Sequence, residues 1–162
     1  MSVHFFYNYK DELVKKLKER FAGEVAQWKT HEAKQKQLDD AEALIKGYFK
    51  NLLLDLGDVV DATGGLIQLI EEDGCLKFII GDNYLLFIRQ PEAIMVKMGY
   101  YVSEHDTVET TIPGYIVPGE KKPLTKKVGK IHDGSTFDEN TLNYYLRTAF
   151  PAADFDVEEQ TG

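Results

Sequence analysis

Short connections between apolar runs are the feature that most constrains this fold. Between residues 64 and 131, runs rich in Leu, Ile, Phe, Tyr and Val are separated by two or three turn residues. The runs and their connections are, in order, LIQLIEE, Asp73-Gly74, CLKFII, Gly81-Asp82-Asn83, YLLFIRQ, Pro91-Glu92 and AIMVKMGYYV. An Asp-Gly pair between β-rich runs is a strong hairpin signal. Because connections this short cannot contain a crossover helix, the sequence predicts an antiparallel meander.

The predicted strands do not alternate cleanly between apolar and polar residues. Both KFII and YLLFI place apolar side chains on the two faces of a strand. A sheet with one face in water shows regular alternation, whereas a sheet covered on both faces does not. We therefore expect each face to be covered, either by another part of the chain or by another subunit.

The N-terminal third has the pattern of a helix. Residues 5–54 contain no proline, and Gly23 and Gly47 are their only glycines. Apolar residues recur at steps of three and four, which indicates one apolar helix face. The polar stretch between Trp28 and Leu38 is made of good helix formers, so we expect a break at Gly23 rather than there. One straight helix of ~47 residues would be about 70 Å long, roughly twice the diameter of such a domain, so the segment must bend or project.

The chain returns to helix near its end. Thr136 and Glu139 have the spacing of a capping box, and an apolar stripe follows until Pro151. The sequence thus predicts a single α+β domain over residues 1–162. Its parts are a long N-terminal helical segment (1–55), an antiparallel sheet of four to six strands (64–131), a C-terminal helix packed on the sheet (136–150) and an acidic tail (151–162).

Composition and charge exclude several classes of protein. No apolar run approaches the ~20 residues of a membrane span. Cys75 is the only cysteine, and the first residues lack the pattern of an export signal, so we expect a cytoplasmic protein. The formal net charge of −8 repels phosphates and anionic lipids, so neither nucleic acid nor a membrane is the expected partner. The five lysines between residues 121 and 130 suit the outer face of an edge strand.

Candidate catalytic residues are few. The sequence contains no glycine-rich phosphate loop, no Gly-x-Ser-x-Gly and no Cys-x-x-Cys, and we expect no cofactor or metal. Two His-Asp pairs, His105-Asp106 and His132-Asp133, lie at predicted strand ends. Two imidazoles and two carboxylates can bind a metal or transfer protons if the fold brings them together. Ordinary turns use the same residue types.

Three functions are compatible with these patterns. The first is a non-enzymatic cytoplasmic interaction protein, a homodimer or higher oligomer that also binds a protein partner. Its interface candidates are Phe21, Val25, Trp28, Leu38, Ile45 and Leu52. The alternative is a small-ligand-binding domain whose pocket candidates are Tyr84, Tyr100, Tyr101 and Tyr115. The third is a small metal-dependent or hydrolytic enzyme at the His-Asp turns. An interface predicts exposed apolar surface, a ligand module predicts a cavity, and an enzyme predicts converging titratable groups.

Overall fold

The protein is α+β, with a long helix, an antiparallel sheet and a C-terminal helix. A computed structural model describes residues 8–110, 114–126 and 134–151. The helices are α1 (Tyr9–Arg20), α2 (Ala22–Leu56), α3 (Asp58–Ala62) and α4 (Glu139–Ala149). The strands are β1 (Ile67–Glu72), β2 (Cys75–Ile80), β3 (Asn83–Arg89), β4 (Ile94–Tyr101), β5 (Thr107–Glu109), β6 (Gly114–Val117) and β7 (Leu124–Lys126).

The chain divides into two compact units within α2. Residues up to Lys34 form the N-terminal unit, and residues from Gln35 onward form the sheet unit. The expectation of one domain stays a prediction. No helix among the described residues combines the length and the apolar character needed to cross a bilayer.

The N-terminal unit contains the helix break that the sequence predicts, but at a different residue. The Asn8 side chain accepts a hydrogen bond from the Asp11 amide and begins α1, which ends at Arg20. Phe21 is the single non-helical residue, and α2 starts immediately after it, so Gly23 is helical. The Phe21 amide still donates to the Leu17 carbonyl at 3.0 Å, so the break needs only a small backbone change and no glycine. The polar stretch before Leu38 is helical, as expected.

The sheet unit is built on the predicted hairpins. All strand pairs are antiparallel, in the order β1-β2-β3-β4-β6-β7, and β5 pairs with β4. The described residues include seven strands, one more than the upper limit of the predicted four to six, because the pattern of apolar runs does not reveal β5, a three-residue strand that is fully exposed. Gly74 and Gly81 have φ angles of 69° and 62°, the left-handed conformation that these tight turns require.

One face of the sheet carries the hydrophobic core. In this core, α2 and α4 pack their apolar side chains on β2, β3, β4 and β6. The Phe49 ring lies 5.0 Å from that of Phe78, and the Phe87 ring lies 6.1 Å from that of Tyr145. The buried members from the two helices are Leu38, Ala41, Ile45, Phe49, Leu142, Tyr145 and Ala149.

Polar contacts also fix α2 on the sheet. The Arg89 guanidinium donates to Asp39 at 2.9 Å, to Gln35 at 2.9 Å and to Glu42. Farther along, the Gln37 side-chain amide donates to the Gly119 carbonyl and accepts from the Gly119 amide, both at 3.0 Å. Such charge-assisted and reciprocal bonds fix the position of the helix as well as stabilising it.

The C-terminal helix begins later than the sequence predicts. Its capping box joins Asp138 and Thr141, with bonds of 3.2 and 3.1 Å, in place of the expected Thr136 and Glu139. Thr136 instead forms a β-bridge with Leu124, and the Phe137 amide donates to the Pro123 carbonyl at 2.9 Å. These long-range contacts keep the chain extended up to Phe137, so Asp138 is the first residue free to cap the helix.

Candidate functional site

An exposed apolar surface runs along the N-terminal unit. We call it the apolar stripe; its side chains are between 39% and 62% exposed. Its members are Tyr9, Leu13, Val14, Leu17, Phe21, Val25 and Trp28. None of the twelve residues of α1, all of which the structure describes, is buried. The helix therefore presents its apolar side chains where a partner can reach them.

The six interface candidates fall into two groups. Phe21, Val25 and Trp28 belong to the apolar stripe. Leu38 and Ile45 are 0% and 2% exposed within the core of their own chain. Leu52 is partly buried against the same core. The expectation that Leu38 and Ile45 need a partner chain is corrected, because the core of their own chain supplies their apolar contacts, whereas Leu52 is only partly covered by that core.

Charge differs between the two units. Residues 1–34 contain seven Lys and Arg against five Asp and Glu, a net charge of +2. The remaining residues contain twelve Lys and Arg against twenty-two Asp and Glu, a net charge of −10. The apolar stripe thus belongs to a mildly basic unit of an acidic protein.

The second face of the sheet contains a lysine–tyrosine cluster. We use "second face" for the side chains that alternate with those of the core, including Lys77, Tyr84 and Tyr101. The Lys77 Nζ donates to the Tyr101 hydroxyl at 2.6 Å and lies 5.6 and 5.3 Å from the ring centres of Tyr84 and Tyr101. Those two rings are 5.5 Å apart. Cation–π contacts of this kind hold the lysine over the tyrosines.

A shallow depression of about 460 Å³ adjoins this cluster. Its lining residues are Gln68, Ile79, Gly81, Asp82, Tyr101, Val102, Ser103 and Glu104. The depression combines an aromatic ring with amide, hydroxyl and carboxylate groups, which can bind a polar ligand.

The structure brings together two of the four predicted pocket tyrosines. Tyr84 and Tyr101 are in contact, whereas Tyr100 lies on the opposite side of β4 and is exposed. Tyr115 shares the second face but pairs with Met95, near the other end of β4. Sequence reasoning missed Lys77. The short turn at Gly81 places Ile79 opposite Tyr84, so period-two alternation would have put Lys77 on the same face as Tyr84.

A third surface lies between α2 and α4. This α2–α4 groove has a volume of about 440 Å³. Its lining residues are Ala43, Leu44, Gly47, Tyr48, Asn51, Leu52, Asp55, Glu139 and Asn143. The Tyr48 hydroxyl donates to the Asn143 Oδ1 at 2.6 Å across the groove. Partial burial, and then the negative charge of Glu139, raise the pKa of Tyr48 above its ordinary value of 10.0, which favours the protonated hydroxyl that donates this bond.

The possible enzymatic residues do not form a site within the described residues. His105 and Asp106 are exposed, and Asp106 accepts a hydrogen bond from the Ser103 hydroxyl at 3.1 Å in a local turn. His132 and Asp133 lie outside the described residues. No three His, Cys, Asp or Glu side chains in the described part of the chain converge so that they could hold a metal ion. Burial, and then Glu72, raise the pKa of the Cys75 thiol, which favours its unreactive protonated form.

Comparison with known proteins gives no relative: no family model, no curated protein and no solved structure matches this chain.

Proposed function

We propose that this chain is a non-enzymatic cytoplasmic interaction protein that self-associates through the apolar stripe and offers its sheet unit, in two or more copies, to a protein partner. The observation that supports it is the exposure of seven large apolar side chains at helical spacing in residues 9–28. Contiguous exposed apolar surface is typical of interaction sites.

Helix energetics also support this proposal. An isolated helix shorter than about 12–15 residues is marginal in water, because nucleation costs more than a few hydrogen bonds return. The α1 helix has twelve residues and buries none of them. A second copy that covers Leu13, Leu17 and Phe21 would supply the burial that α1 lacks.

The charges of the N-terminal unit favour a second copy as the partner. Its seven basic and five acidic residues are intermixed along the sequence, and Lys16 pairs with Glu12 at 3.1 Å. A second copy offers this mildly basic unit, of net charge +2, an acidic sheet unit of net charge −10, so oppositely charged surfaces can meet when the chain self-associates.

Light scattering and sedimentation velocity test self-association. We expect a dimer or higher oligomer at micromolar concentration. Trp28 is 61% exposed and aromatic, the type of residue that anchors interfaces, so Trp28→Ala should weaken association by about 2 kcal/mol, roughly thirtyfold in Kd. Leu54→Ala is the matched control, since Leu54 is an exposed apolar residue of α2 outside the stripe. A monomeric wild type, or equal effects of the two variants, contradicts the proposal.

A second candidate function, binding of a small polar ligand, is favoured by the lysine–tyrosine cluster beside its 460 Å³ depression. Native mass spectrometry of the purified protein tests it. We expect a copurified small molecule that is lost in Lys77→Met and retained in Lys97→Met. Lys97 is a suitable control because it shares the second face but pairs with Glu109 at 3.3 Å. If each of the three proteins shows only the mass calculated for its own chain, with no adduct, the result argues against this candidate.

A further inference from the structure

We infer that the apolar stripe of one copy docks in the α2–α4 groove of a second copy, and that the two copies exchange this contact reciprocally. The inference rests on the proposed self-association and specifies its geometry. It predicts that the surface receiving the stripe belongs to the sheet unit and is not another stripe.

The groove has the shape and the chemistry that accept an amphipathic helix. Leu44 and Leu52 provide apolar surface, and Leu44 is 37% exposed. Ala43 and Gly47 lie one turn apart, and a Cβ added at Gly47 would meet no atom within 4 Å. Small residues at this spacing let a second helix approach closely, so larger side chains of that helix can fill the space above them.

The stripe supplies the matching helix. Leu13, Leu17 and Phe21 follow one another at steps of four, the spacing of anchor residues in helix-in-groove recognition. All three side chains are exposed in the single chain. The bond between the Tyr48 hydroxyl and Asn143 joins the two walls of the groove, so the site is formed before a partner arrives.

Charge distinguishes this arrangement from a stripe packed on a stripe. Two carboxylates, Asp55 and Glu139, line the groove, and none of its described lining residues is basic. The α1 helix contains five Lys and Arg against three Asp and Glu. Helical spacing places Lys10 and Arg20 on the side of α1 that carries Leu13 and Leu17. A stripe on a stripe would instead bring two units of net charge +2 together.

We take the assembly to be a two-fold dimer, the commonest closed symmetry of soluble homo-oligomers. A two-fold dimer repeats every contact, so the stripe of each copy enters the groove of the other. Both stripes are then covered, and no unpaired stripe remains to extend the assembly. The expected product is therefore a closed dimer.

Charge reversal at both surfaces tests the inference by sedimentation at low salt. Asp55→Lys combined with Glu139→Gln should weaken dimerisation at least tenfold, and adding Lys10→Glu and Arg20→Glu should restore at least tenfold. Lys15→Glu, on the opposite side of α1, is the matched control and should change dimerisation less than threefold. Circular dichroism of each variant checks that the helices are intact.

A steric block provides an independent test. The space above Gly47 is open in the single chain, so Gly47→Leu should leave the fold unchanged and abolish the dimer. A dimer that is lost on Trp28→Ala but unaffected by the groove variants would overturn the reciprocal docking and leave self-association through the stripe standing. A wild-type monomer would overturn both.

Discussion

The same helical pattern of apolar residues is exposed in the N-terminal unit and buried in the sheet unit. On α2, Val25 and Trp28 in the N-terminal unit are exposed, whereas Leu38 and Ile45 in the sheet unit are almost completely buried. All four belong to a helical pattern of apolar residues at steps of three and four, interrupted by the polar residues 29–37. Helical spacing therefore identifies the face that needs a partner, but not whether that partner is in the same chain.

Removing one phenylalanine from each unit should give the largest contrast. Phe49→Ala deletes a buried ring that contacts Phe78 and Phe87, so we expect it to lower the free energy of unfolding by about 3–5 kcal/mol. Phe21→Ala removes a ring that is 43% exposed and should cost less than about 1 kcal/mol in the monomer. Urea unfolding at concentrations that keep the chain monomeric measures both. Equal losses would contradict the different burial of the two rings.

Replacing one glycine of each unit by alanine should give the next largest difference in stability between the units. A Cβ at Gly99 would meet the Val108 carbonyl and lie 2.8 Å from the Tyr84 hydroxyl, so Gly99→Ala should destabilise the sheet unit by about 1–3 kcal/mol. Gly23 is helical and has no atom within 4 Å of such a Cβ. Gly23→Ala should therefore stabilise the helical state of the N-terminal unit by up to about 1 kcal/mol and raise its helicity, as measured by circular dichroism. A stabilising Gly99→Ala would contradict the close packing of β4 against Tyr84.

Removing the N-cap side chain from one helix of each unit should give a smaller difference in stability. Asp138→Ala deletes the cap of α4, which packs on the sheet, and should lower the free energy of unfolding by about 1 kcal/mol. Asn8→Ala deletes the cap of α1 and should reduce helicity without changing the urea midpoint of the sheet unit. Far-ultraviolet circular dichroism measures the helicity. Urea unfolding followed by near-ultraviolet circular dichroism measures the midpoint of the sheet unit. A shift of that midpoint by Asn8→Ala would show that α1 stabilises the sheet.

Replacing a buried and an exposed tyrosine by phenylalanine should give the smallest difference in stability at neutral pH. The difference should be larger in alkali. The Tyr145 hydroxyl is buried, and no described residue pairs with it. Tyr145→Phe removes that desolvated group but leaves a small void, so its net effect should be a gain below about 1 kcal/mol. Tyr9→Phe, at an exposed position, should have no effect.

The buried Tyr145 hydroxyl should make the stability of the protein fall as the pH rises above 10. Desolvation raises the pKa of Tyr145 in the folded protein above the ordinary value of 10.0. Above pH 10 the unfolded chain loses this proton while the folded protein keeps it, so stability falls as pH rises; below pH 10 the group contributes no slope. In Tyr145→Phe this contribution, up to about 1.4 kcal/mol per pH unit, is absent. Parallel stability curves for wild type and variant between pH 8 and 11 would contradict a buried, protonated hydroxyl.

Local sequence signals predicted the elements better than the site. The turns at Gly74 and Gly81, the antiparallel pairing and the helical character of residues 29–37 are confirmed. The start of α4 was misplaced, because a β-bridge to Leu124 holds Thr136 in an extended conformation. Lys77 was missed, and the groove was not predicted at all. Both depend on side chains that meet only after strands pair and helices pack.

What the sequence determined by itself is the α+β order of elements and the positions of their apolar faces, because periodicity, turn residues and short connections act over a few neighbouring residues. Tertiary structure decided which faces are covered. Leu38 and Ile45 are buried because the sheet of the same chain packs against them, whereas Phe21 and Trp28 keep the same helical spacing and stay exposed. Burial is a contact between residues far apart in the chain, so no local pattern specifies it.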